Sequence, residues 1–180
     1  MIFEAAPLAG LFIVAAERHD DERGFFATTF EETAYTARGL DAHVAQCAVS
    51  FNARRGTLRG LHYQDAPFGQ PKLVRCVRGA IYDVVVDIRA DSATYGRWAS
   101  FELDADGLRS LYVPAGFAHG FETLVDDTEV LYQLATPRRT SHERGIRWDD
   151  PALAVTWPMP PTVLSPRDRQ LPLFSALSER

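Results

Sequence analysis

The chain has 180 residues, 46% of them apolar and 24% charged, with a formal net charge of −5. That suffices for one sizeable core without staples, and the acidic balance excludes a general nucleic-acid binder, whose phosphate contacts need clustered Lys and Arg. No stretch approaches the ~18 uninterrupted apolar residues of a membrane span, and Met1–Leu11 lacks the charged start and long apolar run of a secretory signal, so the expected location is the cytoplasm.

No internal repeat, low-complexity tract or linker interrupts the chain, and residues 1–180 read as one domain. Glu31–Arg38 (EETAYTAR) carries helix formers, with Gly39 placed as a C-cap. Strands dominate the rest. The β-branched runs Lys72–Arg78 and Ala80–Ile88 are separated by Gly79. Trp98–Leu103, Ser110–Val113, Gly120–Leu124 and Glu129–Leu134 follow at short spacing, broken by turn residues 104–107, 114–117 and 125–127. Many short strands with such breaks predict a sandwich or barrel. The C-terminal third holds prolines at 151, 158, 160, 161, 166 and 172. Proline cannot donate to a ladder, so this part should wrap the barrel as irregular chain or edge strand. Cys47 and Cys76 stand in neither a C-x-x-C nor a Cys–His zinc spacing and are expected as buried small hydrophobes in a reducing compartment.

Two histidines stand in settings suited to chemistry. His62 lies in Leu58-Arg59-Gly60-Leu61-His62-Tyr63-Gln64, and His119 in Pro114-Ala115-Gly116-Phe117-Ala118-His119-Gly120. The second has the P-x-G-x-x-H spacing of the second cupin motif, in which the Pro–Gly turn aims the histidine into a double-stranded β-helix barrel. Metal-binding cupins supply a further histidine two residues along the earlier strand, where both imidazoles share a face. Here that position is Gln64, and two histidines without a carboxylate set are too few for a divalent site. Proton transfer is the alternative use of a near-neutral imidazole. Arg59 and His62 are three apart, so strict alternation puts them on opposite faces; Gly60 could permit a bulge that turns both inward. Arg23, Arg59, Lys72 and Arg167 each sit in segments that do not read as a plain solvated face. Gathered at one barrel mouth, they would bind a diphosphate.

Together these segments resemble the dTDP-4-dehydrorhamnose 3,5-epimerase family. The carriers are Glu22-Arg23-Gly24-Phe25-Phe26, the Arg59–Gln64 run, Pro71-Lys72-Leu73-Val74-Arg75, residues 83–89 (DVVVDIR), residues 113–121 (VPAGFAHGF), Glu129-Val130-Leu131-Tyr132, residues 143–151 (ERGIRWDDP) and Leu164-Ser165-Pro166-Arg167-Asp168. They cover nearly the whole chain in order. The resemblance implies a mostly-β, cupin-type jelly-roll barrel with one or two short helices, a homodimer, and an isomerase that needs no cofactor or metal and takes a nucleotide-linked 4-keto sugar. It also implies roles. His62 would be the base, with Asp168 holding its tautomer. Lys72 would stabilise an enolate, and Tyr132 would return a proton from the opposite face. Arg23, Gln46, Arg59, His119, Glu143 and Arg167 would line the substrate site. Two departures stand out. Residues 133–138 (QLATPR) carry no aromatics where the family often has an Asp-Tyr-Tyr run, and in the binding shell Gln46-Cys47-Ala48-Val49-Ser50 stands where many members have Gln-Asp-Asn, with Thr28 near the family's usual glutamate. A ketoisomerase, a non-catalytic sugar-nucleotide-binding barrel and a metal-dependent cupin are the competing readings.

Overall fold

The β-branched runs in the middle of the chain form the longest strands of the structure, a computed structural model that describes residues 1–177. Four short strands come first: β1 (Ile2–Ala5), β2 (Phe12–Ala15), β3 (Arg18–Asp21) and β4 (Gly24–Ala27). Helix α1 (Glu32–Thr36) follows, then β5 (Gln46–Asn52), β6 (Thr57–Gln64), β7 (Lys72–Arg78), β8 (Ala80–Asp87) and β9 (Trp98–Asp104). β10 (Arg109–Val113), β11 (Phe117–Thr123), β12 (Thr128–Leu134), β13 (Glu143–Gly145), β14 (Val163–Leu164) and α2 (Pro166–Arg169) complete the order before a 3₁₀ turn at Phe174–Leu177.

Two six-stranded sheets face each other as a jelly roll. One runs β1-β2-β10-β7-β12-β5; the other runs β13-β6-β11-β8-β9, with β14 added in parallel to β6. Period-two alternation sends Val74 and Cys76 of β7, Val130 of β12, and Ile81 and Val85 of β8 into the space between the sheets. Leu111 and Phe121 join them, each at most 1% exposed. Burial of each such side chain stabilises the fold by roughly 1.5–3 kcal/mol. The residues of opposite parity build two outer layers. Leu73 and Tyr112 pack under Tyr35 of α1, while Leu61, Val84, Val86 and Ala118 pack under Ile146, Leu153 and Trp157 of the C-terminal segment.

The proline-rich segment wraps the second sheet as irregular chain and the short added strand β14, as expected, but it also contributes helix α2, which its composition had not shown. Helix α1 is shorter than the expected 31–38: Glu31 is an N-cap without a side-chain bond, and Gly39 follows the last turn at φ +70°. Cys76 is buried as expected, whereas Cys47 is exposed. The reason is parity on edge strand β5, where Ala48 and Ser50 turn toward the interior and Cys47, Val49 and Phe51 turn away. Among the described residues no helix is long and apolar enough to cross a membrane.

Candidate active site

The strand geometry at Gly60 makes the site possible. On β11, His119 pairs with His62 and Phe121 pairs with Arg59, so Gly120 alone faces both Gly60 and Leu61. This is a β-bulge, and it shifts the side-chain parity of β6 by one residue. Arg59 and His62 therefore both line the interior cavity, while Leu61 packs outward in the second layer. Gly60 has φ +140°, and a Cβ there would come within 2.6 Å of Gly120 Cα, so only glycine fits. The turn before β11 works similarly: Gly116 sits at φ +85°, where a Cβ would meet Arg89 Cγ at 2.5 Å. That turn starts β11 in the register that sends Phe117, His119 and Phe121 toward the other sheet.

The cavity measures about 690 Å³ and opens between the sheets. One wall carries His62 and Arg59 of β6 and His119 of β11; the other carries Lys72 of β7, Tyr132 of β12, and Ala48 and Ser50 of β5. Lys72 and Tyr132 share that wall because β7 and β12 are neighbours, with Lys72 paired to Leu134 and Val74 to Tyr132. The turn from Leu164 through Asp168 closes one side.

Each histidine has an aspartate on Nε2. His62 Nε2–H donates to Asp168 Oδ1 at 2.7 Å. Burial pushes the Asp168 carboxyl up, but the His62 bond, the Gly60 N–H and Ser165 outweigh it and hold the group below its ordinary value. With Asp168 ionised and Nε2 protonated, His62 Nδ1 keeps its lone pair. Ser165 caps α2 by accepting from Asp168 N at 3.0 Å, which fixes the carboxylate's approach. His119 Nε2–H donates to both oxygens of Asp83, each at 3.0 Å, in a wholly buried pair. The His119 and Tyr132 rings meet edge to face at 6.3 Å.

Lys72 is 8% exposed, and its ammonium makes no hydrogen bond among the described residues. Burial pushes its ammonium down to about 8, against the pull of Asp83 and Glu143. Burial also raises the Tyr132 phenol well above its usual range; Asp83 adds to this and Arg59 opposes it. Arg59 Nε donates to Asn52 Oδ1 at 2.7 Å, and Asn52 is in turn fixed through Nδ2 to the carbonyls of Ser50 and Thr128. At the mouth, Glu143 accepts from Arg138 and, at 3.0 Å, from Arg167. Arg138 first, then Arg167, hold its carboxyl down at about 2 despite partial burial.

Of the ten residues singled out from the sequence, eight line this cavity: His62, Tyr132, Lys72, Asp168, Arg59, His119, Glu143 and Arg167. Gln46 does not; its Oε1 accepts from Arg138 N at 3.2 Å, so it supports the rim. Arg23 stands away from the cavity of its own chain, on the β3–β4 turn, with its guanidinium on Asp21 and 85% of its side chain exposed. Sequence reasoning missed Asp83 and Arg138. Asp83 had a signal: a carboxylate between Ile81 and Val85 on the core-facing side of a strand must find a buried partner. Arg138 had none, because its segment is irregular chain. Among the described residues no group of three or more His, Cys, Asp or Glu is arranged to hold a metal ion.

Comparison with known proteins gives this geometry a family. Residues 5–176 match the family model described as dTDP-4-dehydrorhamnose 3,5-epimerase. A protein of that name from Sinorhizobium fredii is 44% identical over 178 residues, covering 98% of this chain and 91% of its own. The crystal structure of the Bacillus anthracis dTDP-4-dehydrorhamnose 3,5-epimerase, with TDP and PPi bound, superposes with a TM-score of 0.93 at 39% identity, covering 96% of this chain and 99% of its own. A 3'-monoepimerase from Streptomyces bikiniensis in complex with dTDP-quinovose superposes at 0.89 with 35% identity, over 97% and 88% of the two chains. On these matches the chain belongs to the dTDP-4-dehydrorhamnose 3,5-epimerase family.

Proposed function

We propose that this protein epimerises a nucleotide-linked 4-keto-6-deoxy sugar of the dTDP-4-dehydro-6-deoxyglucose type by proton transfer through an enolate. The observation that carries the reading is the placement of His62 on one wall of the cavity and of Tyr132 and Lys72 on the facing wall. The 4-keto group acidifies the C–H bonds at C3 and C5. His62 Nδ1 accepts one of these protons, and the C–H electron pair moves into the enolate, with the charge on O4. Lys72 supplies the cation that this oxygen needs, from a side chain only 8% exposed, where the charge counts for more than in water. Tyr132 then gives a proton to the same carbon from the other face, and the configuration inverts. Every step uses side chains already in place, so the proposed reaction is independent of metal and cofactor. The Streptomyces relative, named a 3'-monoepimerase, leaves inversion at C3 alone and at both carbons as the two forms of this reading.

A homodimer is part of the proposal. Val49 (61% exposed) and Phe51 (50%) stand on the outer face of edge strand β5, and Phe25 (51%) and Phe26 (70%) on the β3–β4 hairpin. Apolar groups of this size along an unpaired edge need a covering surface. Arg23 sits on that hairpin and does not reach its own cavity, so a second copy is the arrangement in which it could meet substrate.

Incubation with dTDP-4-keto-6-deoxyglucose in deuterated buffer tests the chemistry. Deuterium should enter at C3, or at C3 and C5, and be absent with His62→Ala. Tyr132→Phe should still exchange but invert poorly. No wash-in with wild-type protein, or a carbonyl that migrates along the ring, would overturn the assignment.

A further inference from the structure

Arg138 lines the cavity mouth although no role was expected for it. Its surroundings are built, unlike those of most exposed arginines. Its backbone N–H donates to Gln46 Oε1 on β5, and the next N–H, of Arg139, donates to Gln64 Oε1 on β6. Gln64 Nε2 also donates to Pro137 O at 3.4 Å. Two glutamines from different sheets thus fix the irregular chain on both sides of the arginine. Its side chain reaches Glu143 through Nε and, at 3.0 Å, through Nη2, and Glu143 Oε2 is shared with Arg167 Nη1 at 3.0 Å.

This cluster carries two guanidinium charges against one carboxylate. Glu143 stays ionised at any physiological pH, since its two arginines hold its carboxyl at about 2. The other carboxylate that lines the cavity, Asp168, is committed to His62. Arg59 adds a third guanidinium, anchored through Nε on Asn52. A diphosphate diester brings two negative charges and a row of acceptor oxygens, and planar guanidinium forks match it in both respects. Glu143 therefore stands where such an anion would sit, as a resident counter-ion for the empty mouth.

Building on the functional reading above, we propose that Arg138 is a diphosphate-binding residue, which turns from Glu143 to the substrate's phosphates and makes, with Arg167 and Arg59, the three-guanidinium clamp of this chain. The exchange fits an arginine whose side chain is 57% exposed at the rim, where it can leave Glu143 at little cost.

The test is calorimetric titration with dTDP, and with thymidine as the uncharged probe, at several NaCl concentrations. Arg138→Gln should weaken dTDP binding roughly tenfold and flatten its salt dependence, while thymidine binding stays the same. The penalty must persist in the Glu143→Gln background, because an indirect effect routed through the Glu143 carboxylate disappears with that carboxylate. Arg138→Lys should recover part of the affinity. Unchanged dTDP affinity in Arg138→Gln, equal weakening toward thymidine, or a penalty that vanishes with Glu143→Gln overturns the proposal. Wild-type protein that fails to bind dTDP overturns the functional reading, and this inference with it.

Discussion

His62 and His119 stand opposite each other in register on neighbouring strands, and each gives its Nε2–H to an aspartate. Their surroundings differ. His119 and Asp83 are buried within one sheet, on adjacent strands β11 and β8, with side chains 5% and 0% exposed. His62 is 38% exposed, and its aspartate arrives from α2, 106 residues along the chain. The same pair of groups thus serves two purposes. Where both members are sealed inside a sheet, the pair is part of the wall. Where the imidazole is open and its partner comes from the surface wrap, the pair is free to take the proton-transfer role proposed for it.

The largest expected effect breaks the open pair. Asn at 168 would turn an amide N–H toward His62 Nε2, forcing the proton onto Nδ1, the nitrogen that accepts from substrate in the proposed reaction. Asp168→Asn should lower kcat by about 10³-fold while changing stability by less than about 1 kcal/mol. The inner pair should respond the other way. Asp83→Asn takes the carboxylate away from the buried His119 Nε2–H and should cost about 3 kcal/mol of unfolding free energy, read as a lower denaturant midpoint. Equal stability losses in the two variants would end the distinction between wall and machine.

Lys72 sharpens the comparison, because it is buried like His119 yet belongs to the proposed reaction. Its folded value, about 8, lies below its ordinary 10.5. Between these values the unfolded chain binds more protons than the folded one, so this group's contribution to stability rises with pH from 8 to 10.5. Activity should move oppositely, falling above pH 8 as the ammonium is lost. Lys72→Met should remove turnover and yet stabilise the fold by about 2–3 kcal/mol at pH 7, since it deletes a desolvated charge. A destabilised Lys72→Met protein would show that the ammonium is held by its neighbours and is not strained among them.

How much of this could be read from the chain follows the same division. Strand pattern is local, so the runs of β7 and β12 were legible and the glycine at 60 allowed the bulge that brings Arg59 and His62 to one face, whereas the roles of Lys72 and Tyr132 on those strands came with the family resemblance. β7 spans the same residues in sequence and in structure, and β12 differs from its expected span by one. Contacts across sequence were opaque to pattern. Nothing in β8 names His119 as the partner of Asp83, and nothing in residues 133–138 places Arg138 at the mouth. Asp168 came only with the family resemblance, since helix α2 is four residues long and follows a proline-rich tract without periodicity. The hairpin β3–β4 escaped notice because its apolar residues face solvent in the single chain, contrary to the pattern that marks a core strand.

Glu122 offers the smallest test of what a buried carboxylate costs without a histidine. It lies on β11 three residues beyond His119, faces the outer layer, and is 0% exposed, and among the described residues neither side-chain oxygen has a partner in good hydrogen-bond geometry, the Met159 N–H being only a weak neighbour. Burial pushes its carboxyl up to about 7, with the Met159 N–H and Arg55 opposing only in part. The folded protein therefore holds this proton between pH 4.5 and 7 while the unfolded chain releases it, and the group's contribution to stability falls across that window as pH rises. Glu122→Gln keeps the shape and removes the charge, so it should abolish that part of the decline and raise stability at pH 8 by about 1–2 kcal/mol, with little change at pH 5. Denaturation curves of the two proteins at both pH values decide it. A gain of equal size at pH 5 would assign the effect to packing, and then the contrast with Asp83, whose charge is answered by an imidazole, would rest on something other than charge.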